Sequence, residues 1–344
     1  MTILRTFILQ WLAIVFLLGI TAKLHAQHYP AGSEGIKGAS LPPPGFYFED
    51  YNSFYYSDRT PGFDGQLEHT FGSGGQVKPG FDLFTYTQAP RLLWMTGWKF
   101  LGADYGMAVR IPFVYKKHDQ TVPTVLERVA GIPVGPAVTS VNKFGLGDIQ
   151  IEPLILSWHL KRFDIVTGYS IWAPTGEYDH NTLFLLNLGN GYWTHMFTLG
   201  ATWYPDAEKT WAISLLNRYE INMAQYSDLY NVPVSPSHPL GIGSLSTTPG
   251  DIYTLEWAVS KTVVKGVDVG LTGYYQQQVT DTEGPTTYGP TYFSERVHVA
   301  GIGPEIEASY PQWGLTASLR YAYEFSAMDH PQGNLITLTV IKSF

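Results

Sequence analysis

The chain is 344 residues long, contains no cysteine and carries a net charge of −8. The missing cysteine excludes a lipoprotein anchor, a disulfide framework and thiolate metal sites, and the acidic balance argues against a nucleic-acid partner. Charged residues are only 15% and aromatics another 15%, against about 25% charged in ordinary soluble proteins, yet the mean hydropathy is −0.05.

The first element is a secretory signal. Arg5 precedes an apolar stretch from Phe7 to Ile20, and a short polar stretch then ends at Ala26. A basic start, a short apolar run and a small residue at the cut are the parts of a signal peptide. The run is short of the roughly 20 residues that a membrane-spanning helix needs, and the alternative is an uncleaved anchor. Residues 1–26 are therefore expected to leave, with the mature chain starting at Gln27. Residues 27–44 form a second unit, rich in Gly and Pro, with Pro42–Pro44 consecutive and almost no apolar pattern. It has too little apolar surface to fold alone, so it lies in the periplasm or inside the fold of residues 45–344, where it would act as a plug. About 3.1 Å per residue of extended Pro-rich chain is enough for it to cross a lumen.

From residue 45 to 344 the pattern is period two, with no long amphipathic helix. Phe46–Asp58 is the first predicted strand. In Leu101–Lys116, Leu101, Ala103, Tyr105, Met107, Val109, Ile111 and Phe113 oppose Gly102, Asp104, Gly106, Ala108, Arg110 and Pro112. Trp193–Trp203, Trp211–Ile221 and Leu315–Phe325 repeat the alternation. Connections run long, short, long, short. The long ones are Arg59–Gly80, Lys117–Lys143, Thr175–Gly191, Ala224–Gly250 and Thr280–Tyr292; the short ones fall near Gly97, Lys161–Arg162, Pro205–Lys209, Lys265–Gly266 and Pro311–Gln312. Short turns on one rim and long loops on the other build outer-membrane barrels, whereas a sandwich has no reason to keep that rhythm. The fold expected is all-β: a transmembrane, antiparallel, up-and-down barrel of about twelve strands, located in the bacterial outer membrane. Aromatics near strand ends (Trp94, Trp98, Trp193, Trp203, Trp313) suit interfacial girdles. Asn334–Phe344 closes the chain with alternating Ile336, Leu338 and Val340. Its last residue, Phe344, is the expected assembly signal; Lys342 departs from the alternation and is expected to snorkel.

Charges on the predicted strands are too costly to face lipid, roughly 2–4 kcal/mol for Arg or Lys at the midplane. The lumen-lining candidates are accordingly Asp104, Arg110, Asp148, Glu152, Arg218, Glu220, Glu256, Asp268, Glu305, Glu307, Arg320 and Glu324. They would form either a paired network or a permeation path. Acids outnumber arginines in this set, predicting an unpaired acidic surplus that disfavours anions. The long-loop aromatics Phe63, Phe71, Tyr226 and Tyr230 offer apolar solutes a landing surface. No metal or cofactor motif is found: there is no His-Glu-x-x-His, and His28, His69, His118, His180, His238 and His330 are placed in loops or termini. No Gly-x-Ser-x-Gly elbow is present. His195 is the one in-strand histidine considered for hydrolysis, with no evident serine partner.

Several phrases carry a family resemblance: GIKGASLPPPG at Gly35–Gly45, LGADYG at Leu101–Gly106, FGLGDI at Phe144–Ile149 with EPL at Glu152–Leu154, WAPTGEYD at Trp172–Asp179, YWTH at Tyr192–His195, KTW at Lys209–Trp211 and YYQQQVTD at Tyr274–Asp281. In these, the chain resembles the phenol-degradation meta-pathway family of outer-membrane proteins, in order over nearly the whole mature length. The resemblance implies a channel or transporter for small hydrophobic or aromatic compounds and not an enzyme. Its partners would be those solutes, outer-membrane lipids and the barrel-assembly machinery. It supplies no catalytic residue. The alternatives are an outer-membrane lipid hydrolase and a structural or adhesive surface barrel.

Overall fold

The computed structural model describes residues 28–59, 80–122, 137–178, 186–223, 225–232, 241–282, 296–328 and 330–344. The predicted signal peptide and the loop aromatics Phe63 and Phe71 lie outside them. In chain order the strands are β1 Gly45–Ser57, β2 Gly80–Phe100, β3 Ala103–Arg110, β4 Phe113–Val122, β5 Ala137–Leu146, β6 Ile149–His159, β7 Phe163–Ala173 and β8 Thr194–Trp203. Then come β9 Trp211–Asn222, β10 Gln225–Val232, β11 Gly241–Thr247, β12 Ile252–Val264, β13 Val267–Gln278, β14 His298–Tyr310, β15 Leu315–Met328 and β16 Asn334–Ser343.

These close into a barrel of twelve strands, because β1 pairs antiparallel with both β16 and β2. The ring runs β1-β2-β3-β6-β7-β8-β9-β12-β13-β14-β15-β16. β3 and β4 are successive halves of one barrel position, since both pair with β2. β5 and β6 are likewise halves of the next, pairing with β4 and β3. Pro112 and Gly147–Asp148 break these long strands at matching heights, bridged by the Gly147 N–H donating to the Pro112 carbonyl (2.8 Å). Beyond the break β5 pairs, among the described residues, with β4 alone. β10 and β11 make a separate hairpin.

Five expectations change. The first short turn is at Leu101–Gly102, both with positive φ (51° and 81°), the geometry of a two-residue hairpin turn. Gly97 instead sits in a bulge of β2 between Met95 and Lys99. The predicted strand Leu101–Lys116 is two strands, and the loop Lys117–Lys143 is shorter than expected because β4 and β5 extend into it. The segment Ala224–Gly250 holds the β10–β11 hairpin, with Tyr226 and Tyr230 on β10. His118 lies in β4, its ring 5.0 Å from that of Phe81.

The outer face is apolar, with Leu92, Phe197, Leu199, Leu215, Leu271, Leu319 and Phe325 all exposed, as lipid contact requires. Trp98, Trp203, Trp211 and Trp313 are exposed toward the short-turn rim, and Tyr56, Tyr321 and Tyr323 toward the other. Short turns face the periplasm in such barrels. The amide of Phe344 donates to the Phe46 carbonyl (3.0 Å), tying the last residue to β1. Lys342 Nζ reaches the Trp313 carbonyl (2.6 Å), away from the apolar band.

Candidate functional site

Residues 28–44 run inside the barrel. Their partners come from strands all around the ring, and His28, Tyr29, Ala31, Ile36 and Ala39 are buried. Near the long-loop rim, the His28 and Tyr29 amides both donate to Glu220 Oε2 (3.3 Å each). Tyr29 Oη donates to Glu256 (2.7 Å), and Gln276 Nε2 donates to the Tyr29 carbonyl (3.0 Å). Farther in, the Glu34 amide donates to Glu256 Oε1 (3.2 Å) and the Ile36 amide to Glu305 Oε2 (2.8 Å). Toward the periplasmic rim, Lys37 pairs with Asp268 (2.7 Å), the Ala39 amide meets Ser214 Oγ (3.3 Å), and Ser40 meets the Tyr204 hydroxyl (2.8 Å).

Apolar contacts fill the gaps. Ala39 and Leu41 pack with Tyr47, Leu93, Met95, Ala108, Ile155, Val166 and Leu216. Ala31 packs with Tyr274, Val299, Ala322 and Ala327. Two glycines are required by space: a Cβ on Gly32, at φ +79°, would strike the Tyr274 ring, and one on Gly35 would collide with Arg320 and Glu305.

The middle of the lumen is a charge belt. Arg91 bridges Glu49 (2.8 Å) and Glu152 (2.9 Å). Arg218 pairs with Glu256 and stands 4.0 Å over the Tyr29 ring. Arg320 pairs with Glu305 (3.4 Å) and donates to the Ser33 carbonyl (2.6 Å). Arg110 lies 4.5 Å over the Tyr51 ring. The Glu34 carboxylate reaches into this belt and is held loosely, by Arg110 (3.4 Å), Arg218 (3.6 Å) and the Tyr51 hydroxyl (3.4 Å). A cavity of about 50 Å³ opens beside it, lined by Glu34, Arg110, Gln150, Ile155, Val166 and Met196 among others.

The remaining candidates are partnered in ways that sequence did not suggest. Asp148, at the strand break, accepts the Gly176 (2.9 Å) and Asn190 (2.6 Å) amides and meets His28 Nε2 (3.0 Å). His28 is stacked on Trp172 and touches Thr194 through Nδ1 (2.8 Å). Glu324 accepts from Tyr55 (2.7 Å), Tyr274 (2.8 Å) and the Gly333 amide (2.7 Å). Asp104 pairs with Lys99 (2.5 Å), and Glu307 is half-buried opposite Asp268 in register. The expected unpaired acidic surplus is thus largely absorbed by tyrosine hydroxyls, by backbone N–H groups of the inner segment and by Arg91 and Lys37. Glu34, Arg91, Glu49 and Tyr29 were not among the candidates. The signal for Glu34 and Lys37 was in plain view: they are two charges in a Gly/Pro segment that otherwise carries none.

Toward the periplasmic rim, Ser157 Oγ meets His159 Nε2 (3.3 Å) and His159 Nδ1 meets Asp164 (3.2 Å). This has the connectivity of a hydrolase triad. Ser157 is 0% exposed, however, and the second Asp164 oxygen accepts from Tyr204 (2.7 Å). Burial, reinforced by the Asp164 carboxylate, holds the Tyr204 phenol above its usual range. In the following turn, Asp206 accepts the Trp211 amide (2.8 Å) and both the amide and hydroxyl of Thr210 (2.7 Å each). The Trp211 amide, then the Thr210 donors, bring its carboxyl down to about 2. His195 binds the Tyr169 hydroxyl (2.7 Å) beside Phe197 on the outer face.

A closed, lipid-faced ring of antiparallel strands around a polar lumen defines an outer-membrane β-barrel. The chain belongs to the family described as "Putative MetA-pathway of phenol degradation", which residues 69–340 match. The fold is similar to that of an outer membrane channel from Pseudomonas putida F1, with TM-score 0.66, 13% identity, 92% of this chain and 100% of that one covered. More distant likenesses are the β-domain of the Bordetella autotransporter BrkA (TM-score 0.43, 12% identity, 88% and 100% covered) and a Pseudomonas aeruginosa FadL homologue (0.41, 11%, 91% and 96%). Among curated proteins no sequence matches.

Proposed function

We propose that the protein is a passive outer-membrane channel for small hydrophobic or aromatic compounds, not an enzyme. On this reading residues 1–26 are cleaved as a signal peptide and residues 27–44 plug the lumen at rest. One observation carries it: the lumen is filled by a chain segment that is continuous with the wall at Gly45 and is held, among the described residues, by hydrogen bonds, ion pairs and small apolar contacts. A static filler would be better served by wall side chains. The family description and the channel from Pseudomonas putida F1 support the same reading. The hydrolase alternative is disfavoured by the full burial of Ser157.

Single-channel conductance and liposome swelling with aromatic solutes, on the full chain and on a variant lacking Gln27–Ser40, test it. The deletion is expected to assemble, stay heat-modifiable, and conduct more with faster swelling. Absence of permeation in both proteins would overturn the channel reading. Unchanged conductance with ready proteolysis of the segment in the intact protein would overturn the plug.

A further inference from the structure

Among the described residues, Arg110 is the belt arginine that no wall carboxylate pairs with. Arg91, Arg218 and Arg320 each pair with wall carboxylates, namely Glu49 and Glu152, Glu256, and Glu305. Among the described residues, the ion pair of Arg110 is with Glu34, at the long distance of 3.4 Å, and its Nε has no hydrogen-bond partner. The Arg110 side chain is 6% exposed and lines the cavity. An unfilled guanidinium donor on one small cavity, against an apolar wall of Ile155, Val166 and Met196, describes a site for a molecule with one hydrogen-bond-accepting end and an apolar body.

Charge selects the polar end. Arg91 takes the two wall carboxylates Glu49 and Glu152, Arg218 takes Glu256 and Arg320 takes Glu305, so among the described residues the ion-pair partner of Arg110 is Glu34, which is carried by the inner segment. A carboxylate replacing Glu34 leaves the belt as it was. A phenol, neutral below its usual pKa of about 10, leaves Arg110 buried without a counter-charge, which is costly. Space makes the two occupants exclusive: about 50 Å³ holds water, whereas an aromatic ring needs about 150 Å³. We propose that the Arg110–Arg218 clamp is a binding site for small monocarboxylates with an apolar body, which take the place of the Glu34 carboxylate and thereby unlatch residues 28–44. Glu34 is then a tethered stand-in for the ligand. The proposal rests on the channel reading above and gives it a ligand class.

The probes are benzoate and its neutral isostere benzamide. Because the chain has no native cysteine, an Ala31→Cys variant reports segment release by its rate of reaction with an impermeant maleimide. Benzoate is expected to accelerate labelling and benzamide to leave it unchanged. Glu34→Gln, with Glu34→Ala as the second variant, is expected to label fast without ligand and to bind benzoate roughly tenfold more tightly, the scale of one lost charge-assisted contact. Equal effects of benzoate and benzamide, or benzoate binding no tighter in either Glu34 variant, would overturn the exchange. Swelling assays separate the two readings. Permeation of neutral aromatics with no benzoate response sinks the exchange and leaves the channel; a benzoate response without permeation of any solute leaves the site and sinks the channel.

Discussion

Arg320→Met tests whether the inner segment is held by the belt or merely enclosed by it. In the native protein Arg320 is buried between Glu305 and the Ser33 carbonyl, and Glu305 also accepts the Ile36 amide. Methionine removes the cation and keeps most of the volume. Glu305, 2% exposed, is left with the Ile36 amide and no counter-charge. Breaking a buried pair from one side costs about 3–5 kcal/mol. Replacing Glu305 by Gln in the same protein removes the stranded charge, and the remaining loss should fall to about 1–2 kcal/mol, the value of the hydrogen bonds forgone. The second substitution is therefore expected to restore about 2–3 kcal/mol of the loss. Urea unfolding in detergent micelles, followed by heat-modifiable gel mobility, measures it, and conductance should rise in the single variant because Ser33 is released. A single variant as stable as the double, with native conductance, would show that the belt holds nothing.

Other contacts give three further expected outcomes. Gly35→Val should prevent seating of the segment, since its side chain would meet Arg320 and Glu305; higher conductance and new protease cleavage within residues 28–44 are expected, and native values of both would refute the packing argument. Deleting Phe344 should lower the folded yield, because the β16 end then loses its hydrogen bond to Phe46; a normal yield places the assembly signal elsewhere. The Thr210 and Trp211 amide resonances should titrate with Asp206 near pH 2, not near 4. The folded carboxyl is depressed, so its stabilisation of this turn is complete above its unfolded value of about 3.9 and is lost as pH falls toward 2.

The barrel was legible because lipid and lumen impose opposite demands on alternate residues, and because short and long connections alternate along the chain, a rhythm that a sandwich has no reason to keep. The Leu101–Gly102 turn was not, because a leucine at positive φ is uncommon while Gly97 attracts a turn assignment. Wall charges such as Arg218, Glu256 and Arg320 could be read from their strands, since lipid excludes them. Arg91 escaped because its lumen-side neighbours, Leu93 and Met95, are apolar and pack against Ala39 and Leu41 of the inner segment. What the acids bind was invisible for a different reason. Their partners are backbone amides and tyrosines far away in sequence, such as Ile36 for Glu305 and Tyr55 for Glu324.

The route of the inner segment also orders the making of the protein. Residues 28–44 come early in the chain, yet their partners Glu256, Glu305 and Arg320 lie on β12, β14 and β15. The same late strands must be in place before β16 closes on β1. Contacts this distant in sequence form slowly, since a long loop must be closed before they reward it. The segment is thus expected to find these partners only once β12, β14 and β15 are in place. Docking of Ser33 and Ile36 onto β15 and β14 is expected to be a late step, which their protection in pulse-labelled hydrogen exchange would time against closure of the barrel.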